Sequence, residues 1–320
     1  MPHPRIGISL GHNSFDVLAL TTNDFVLTRE QHPLTSPSYH DRLQAMASRV
    51  KMLDREYGKG SLGVAIPGSI TPDSGHIRTS PVQDLIGHTM LLDLAAAIGR
   101  PVRIASDADC MALSETMDGA SAGLYCCFHA ILDHGVTGCL TIGNRILSGP
   151  NALGGEWSHN PIPWPREWKH ADERPGPDCY CGLTGCTETF LSTHGLIDDH
   201  ARATGMTLPW PDIAASATAG DPDCLESMQR YADRLARALS IIVNLVDPDA
   251  IVLGGALSDI DWLYEKIPLL WSGWALSNNT ATRLCKAAHG ADSIVRGASL
   301  LWDCQDQVRP QPALLLHPAD

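Results

Sequence analysis

The chain has 320 residues, 44% hydrophobic and 18% charged, with a formal net charge of −13. That length suits one large or two medium domains with a sizeable core. No stretch approaches the ~18 uninterrupted apolar residues of a membrane span, and the acidic balance speaks against a Lys/Arg face for nucleic-acid phosphates.

Arg5 to Leu10 reads as a first strand and Phe15 to Leu20 as a second, across a turn at Gly11-His12-Asn13-Ser14. Leu43, Met46, Val50 and Leu53 recur at helical spacing and predict a helix from Tyr39 to Tyr57. Ser61 to Ile66 is a buried strand ended by Pro67-Gly68, and Val102 to Ala105 another, followed by a helix through Cys110 and Leu113. The pattern then restarts. Cys126 to Leu132 and Thr137 to Ile142 predict a hairpin turning at Asp133-His134-Gly135. Met228, Tyr231, Leu235, Leu239, Ile242 and Val246 share one face of a helix from Leu225 to Val246, and Ala250 to Leu253 is an apolar strand entering Gly254-Gly255. Two copies of one α/β theme are expected, residues 1–119 and 120–320, facing across a central cleft where ligands usually sit.

The densest chemistry lies in Gly155-Glu156-Trp157-Ser158-His159 and Cys179-Tyr180-Cys181-Gly182-Leu183-Thr184-Gly185-Cys186-Thr187-Glu188. His159, Cys179, Cys181 and Cys186 can close a tetrahedral structural Zn2+ site, with Gly182 and Gly185 allowing tight turns between thiolates. The competing readings are a disulfide and unrelated core thiols. Cys-x-Cys is short for a disulfide, and Met1 to Ser9 holds no apolar run of signal length, so a reduced, cytoplasmic setting is expected. The seven other cysteines read as core thiols. Glu156 and Glu188 bracket the cluster, as suits a polyhydroxylated ligand.

Together with Ile66-Pro67-Gly68-Ser69-Ile70, Asp107-Ala108, Leu147-Ser148-Gly149-Pro150-Asn151-Ala152 and Ile251-Val252-Leu253-Gly254-Gly255, this segment resembles the ROK family of bacterial sugar kinases and repressors, most closely the fructokinase/mannokinase branch. The resemblance covers roughly residues 5 to 302. It implies an α/β, actin-like ATPase (duplicated ribonuclease H-like) fold, ATP and Mg2+, phosphorylation of a hexose 6-hydroxyl, and a homodimer. No DNA-binding helix-turn-helix precedes Arg5, which speaks against the repressor branch. By the resemblance, Asp107 is the base that takes the hydroxyl proton, although an Asp there also suits a helix N-cap. Gly68, Ser106, Glu156, His159 and Glu188 would contact the sugar; Gly11, His12, Gly135, Thr137, Gly138, Gly254 and Gly255 would contact the nucleotide.

The phosphate loops depart from the family pattern. Ser9-Leu10-Gly11-His12-Asn13-Ser14 stands for Asp-x-Gly-Gly-Thr-Lys, losing a magnesium-orienting carboxylate and a cation. Asp133-His134-Gly135-Val136-Thr137-Gly138 stands for Gly-Thr-Gly-x-Gly-Gly, and an aspartate beside phosphates would repel them by a few kcal/mol at intermediate dielectric. Ile86, Ser106 and Thr193 replace two sugar-side asparagines and a nucleotide-side glycine. Two readings follow: an active hexose kinase with unusual loops, or a relative that binds a sugar or other small ligand without phosphoryl transfer. His12 and His134 could also form a metal or anion site, though surface histidines are more often bystanders.

Overall fold

The computed structural model describes residues 3–35, 37–277, 280–304 and 306–308. It divides into two compact units: the described parts of Met1–Asp118, Arg145–Gly154 and Asp292–Asp320, and those of Gly119–Asn144 and Gly155–Ala291. The sequence expectation placed everything beyond residue 119 in the second lobe. The chain instead returns to the first unit, because the helix Ser293–Leu300 packs on its sheet.

In the first unit the sheet order is Val26–Pro33, Ser14–Leu20, Arg5–Leu10, Ser61–Ile66, Arg103–Ser106. The first three strands are antiparallel and the last two run parallel to Arg5–Leu10. Ile6, Ile8, Val17, Leu62 and Val64 face helix Tyr39–Tyr57, whose Met46, Val50 and Leu53 are buried with them. That helix starts where Ser38 and Asp41 form a capping box. On the other side, Ser293–Leu300 lies so close that a Cβ on Gly63 would stand 1.9 Å from the Ala298 carbonyl oxygen. A Cβ on Gly297 would stand 1.7 Å from that of Cys110 in helix Asp107–Asp118, so glycine is required at both contacts.

The second unit repeats the scheme with Val136–Ile142, Cys126–Leu132, Ala250–Gly254 and Arg283–Lys286 side by side. This duplicated sheet is the frame of the actin-like ATPase fold. Its core is built against helix Pro222–Val246, which has Asp221 as N-cap and Pro222 in the first turn. Met228, Tyr231, Leu235 and Leu239 are buried as their spacing predicts. The helix also buries Arg230, Arg234 and Arg237. Glu173, with no exposed side-chain surface, lies 2.8 Å from Arg234 Nε and 2.7 Å from Arg237 Nη2. Asp199 binds Arg230 and Arg234, each at 2.8 Å. No described helix is long and apolar enough to cross a membrane.

Burial pushes the Glu173 carboxyl up, but the guanidiniums of Arg237 and Arg234 win and hold it below its ordinary value of 4.5. Its contribution to stability is therefore complete above that value and is lost as pH falls through the depressed one. Glu173→Gln leaves two buried guanidiniums short of their counter-charge. At pH 7 it should cost about 3–5 kcal/mol in denaturant titrations, and the gap to wild type should narrow below pH 4.5.

Candidate functional site

His159, Cys179, Cys181 and Cys186 converge in the second unit, with their ligand atoms all within 4.8 Å of one another. Cys179 Sγ lies 3.5 Å from His159 Nδ1, and Cys181 Sγ lies 3.7 Å from Cys186 Sγ. A zinc ion with Zn–S of about 2.3 Å and Zn–N of about 2.0–2.1 Å sets tetrahedral ligands roughly 3.5–3.8 Å apart, so these spacings suit it. The backbone builds the cage. Cys179 N–H donates to Leu183 O at 2.8 Å and Gly182 N–H to Cys179 O at 2.9 Å, with Gly182 at φ 89° and Gly185 at φ 71°.

Two residues past Cys186, Glu188 opens a short helix and is 6% exposed. Its Oε2 accepts the Val136 N–H at 2.9 Å. Burial foremost, then the charge of Glu156, pushes its carboxyl up to about 7, against the pull of that amide. Glu156 accepts from Ser158 Oγ at 2.9 Å. The Glu156 loop lies hard against the Val136–Ile142 strand: a Cβ on Gly155 would stand 2.6 Å from Gly138 O. The sequence-predicted Glu156, His159, Glu188 and Gly138 are thus gathered by one set of loops. Tyr180 joins them unpredicted, its Oη 3.0 Å from His159 Nε2. Its place between two cluster cysteines was the available signal.

The expected nucleotide residues of this unit meet at Asp133. Its Oδ2 accepts the Ala256 N–H at 2.9 Å and its Oδ1 the His134 N–H at 2.7 Å, while its carbonyl accepts the Thr193 N–H at 2.8 Å. Asp133 thus joins the turn containing Gly135 to Ala256, just past Gly254-Gly255, through its carboxylate, and to the start of helix Thr193–Thr204 through its carbonyl. Gly255 sits at φ 81°, and a Cβ there would stand 2.6 Å from Leu132 O. Thr137 and Gly138 continue the strand after this turn. The His134 ring meets that of His194 at a tilt of 42°, centroids 5.3 Å apart.

The first unit holds Asp107, Ser106, Gly68, Gly11 and His12. Ser106 ends its strand, and its Oγ accepts the Asp109 N–H at 3.1 Å. Asp107, the first helical residue, accepts the Ala108 N–H at 2.8 Å. Ser106 therefore takes the capping role that Asp107 could have filled. Gly68, at φ +126°, lies where a Cβ would stand 2.0 Å from Thr79 O. Arg42, buried and unpredicted, donates to Gly11 O at 3.0 Å and His12 O at 2.8 Å while pairing with Asp84 at 2.9 Å. Nothing in the helical pattern around Arg42 marks it out.

The family model described as the ROK family matches residues 5–305. An N-acetyl-D-glucosamine kinase of Yersinia pseudotuberculosis serotype O:1b (strain IP 31758) is 31% identical over 296 residues, 92% of this chain and 97% of its own length. One of Pectobacterium atrosepticum is 33% identical over 270 residues, 84% of this chain and 89% of its own length. Among solved structures, the ROK hexokinase from Thermus thermophilus superposes with a TM-score of 0.77 at 26% identity, over 95% of this chain and 99% of its own. A ROK family glucokinase from Streptomyces griseus, solved with glucose and AMPPNP, gives 0.80 at 21% identity, over 93% and 98%.

The cluster makes a direct expectation. Protein purified without chelator should hold about one zinc per chain by elemental analysis, and Cys181→Ser should lose it and melt at least about 5 °C lower. An unaltered melting temperature in a zinc-free wild type would contradict the assignment.

Proposed function

The chain belongs to the ROK family, and from that membership we propose that it is an ATP-dependent sugar kinase acting on a hexose 6-hydroxyl. The observation that carries the reading is the pairing of Glu188, held at 2.9 Å by the Val136 amide, with Glu156 beside the four-residue cluster. Two fixed carboxylates accept hydrogen bonds from neighbouring hydroxyls and orient a sugar ring. The names of the relatives direct the substrate toward N-acetyl-D-glucosamine rather than free fructose.

Asp107 is proposed as the base. It takes the 6-hydroxyl proton as that oxygen bonds to the γ-phosphorus, the bond to the β-phosphate oxygen breaks, and ADP leaves. It sits between a strand end and a helix, where Ser106 Oγ accepts the Asp109 N–H and Asp107 accepts the Ala108 N–H through Oδ1. Mg2+ would be supplied with the nucleotide and would screen its phosphates. Gly135, Thr137, Gly138, Gly254 and Gly255, with Gly11 and His12, are proposed for the nucleotide, and Gly68, Ser106 and His159 for the sugar. Zn2+, held by His159, Cys179, Cys181 and Cys186, is proposed to be structural. Two amides engage the Asp133 carboxylate, which lessens the repulsion of phosphates expected there. A homodimer remains part of this proposal.

ADP release with Mg-ATP and a panel of N-acetyl-D-glucosamine, glucose, fructose and mannose tests the reading. N-acetyl-D-glucosamine should give the highest kcat/KM, and Asp107→Asn should lower kcat by about 10²–10⁴-fold. Release that is independent of sugar, or untouched by Asp107→Asn, would restore the binding-only alternative.

A further inference from the structure

The edge strand Val26–Pro33 and helix Tyr39–Tyr57, both in the first unit, leave a cavity of about 480 Å³ between them. Two periodicities meet across it. Glu30, His32 and Leu34 line it at every second residue of the strand and its extension, and Ala45, Ser48, Arg49 and Met52 line it at helical spacing. Phe15, on the neighbouring strand, pairs in register with His32, and their rings stack, centroids 4.8 Å apart at 16°. Such a volume suits a small molecule.

The ion pair in its wall is satisfied on one side only. Glu30 is fully taken: Arg49 Nε reaches its Oε2 at 2.7 Å and Arg49 Nη2 its Oε1, Thr28 Oγ1 donates to Oε1 at 2.8 Å, and His32 Nε2 stands 2.7 Å from Oε2. Arg49 keeps Nη1 without a partner among the described residues. Elsewhere in the chain Arg5 bridges Asp24 and Asp303, Arg29 bridges Asp16 and Asp292, and Arg234 bridges Glu173 and Asp199. Arg49 has one carboxylate where those have two. Its spare donor calls for an anionic acceptor, which a guanidinium holds more strongly than a neutral one. The Phe15–His32 stack and the Met52 thioether, 54% exposed as a residue, call for a flat apolar body.

We propose that this cavity is a binding site for a small aromatic carboxylate, its ring against the Phe15–His32 stack and Met52 and its carboxylate on Arg49 Nη1. None of the residues assigned to sugar or nucleotide lines it, yet it is bonded to one of their loops. Leu34 N–H donates to Asn13 O at 2.7 Å, and Phe15 follows the turn that Gly11 N–H closes on Ser14 O at 2.8 Å. A ligand against Leu34 and Phe15 therefore braces the turn at residues 11–14. Binding there requires no phosphoryl transfer.

The probe is 2-naphthoate, with 2-naphthalenemethanol as its uncharged counterpart. In calorimetric titrations of the whole chain, naphthoate should bind with a Kd below about 1 mM and the alcohol at least about tenfold more weakly. Ser48→Trp fills the cavity from an exposed helix position and should abolish naphthoate binding with the circular dichroism unchanged. Arg49→Gln removes the charge and should bring naphthoate down to the affinity of the alcohol. Bound naphthoate should also slow amide exchange at residues 11–14. No binding by wild type, equal affinity for the two probes, or naphthoate binding retained by folded Ser48→Trp overturns the proposal. Exchange slowed only outside residues 11–34 and 45–52 places the probe elsewhere and overturns it as well. Should Arg49→Gln fail to fold, Ser48→Trp and the uncharged probe decide.

Discussion

Glu173 holds the functional half of the second unit in place. Its side chain has no exposed surface, and it accepts from Arg234, Arg237, the Trp168 indole at 2.9 Å and the Arg166 amide at 2.8 Å. A carboxylate so far from water is tolerable only when every lone pair is engaged and a cation neutralises it. That requirement ties residues 160–178 to helix Pro222–Val246. Arg237 adds bonds to Pro163 O at 2.6 Å and Trp164 O at 2.9 Å. The same excursion begins just after His159 and ends at Cys179, two members of the cluster. Its ends meet at the cluster and its middle is fixed by an ion network, so a long segment with little regular structure keeps one conformation.

The consequence reaches the carboxylates. From Cys186 the chain runs directly into Glu188, and His159 lies three residues after Glu156. Thr187 N–H donates to Asn160 O and Glu188 N–H to Ser158 O, each at 2.8 Å, which zips the two strands of chain together. Glu156 and Glu188 therefore depend on the cluster for position, while the Val136 amide fixes Glu188 from the sheet side. Asp133 illustrates how charge is managed nearby. Taken as a bare charge beside phosphates it is a repulsive group, yet its carboxylate satisfies two backbone amides and joins two loops. Sequence position alone could not show where that charge points.

Strands Arg5–Leu10, Ser61–Ile66 and Cys126–Leu132 were legible because their apolar runs are buried, and helix Tyr39–Tyr57 because four apolar residues keep its period. The Val26–Pro33 strand was not, since it is an edge strand whose polar residues carry no alternation strong enough to read. Arg230, Arg234 and Arg237 look like a solvated helix face in sequence; their partners lie up to 64 residues away, so only folding reveals them as core. The cluster was legible from spacing. The support around it was not, because the Val136 amide is a backbone group, and the close approach of Gly155 to Gly138 joins a loop to a strand.

On the proposed reading, the cluster positions Glu156 and Glu188 for the sugar rather than merely stabilising the fold. Calorimetric titration of N-acetyl-D-glucosamine into zinc-loaded protein and into chelator-stripped protein that retains its circular dichroism tests it most directly. Metal removal that disorders the two glutamates should weaken the sugar at least about tenfold. Equal affinity in the two forms would contradict the account.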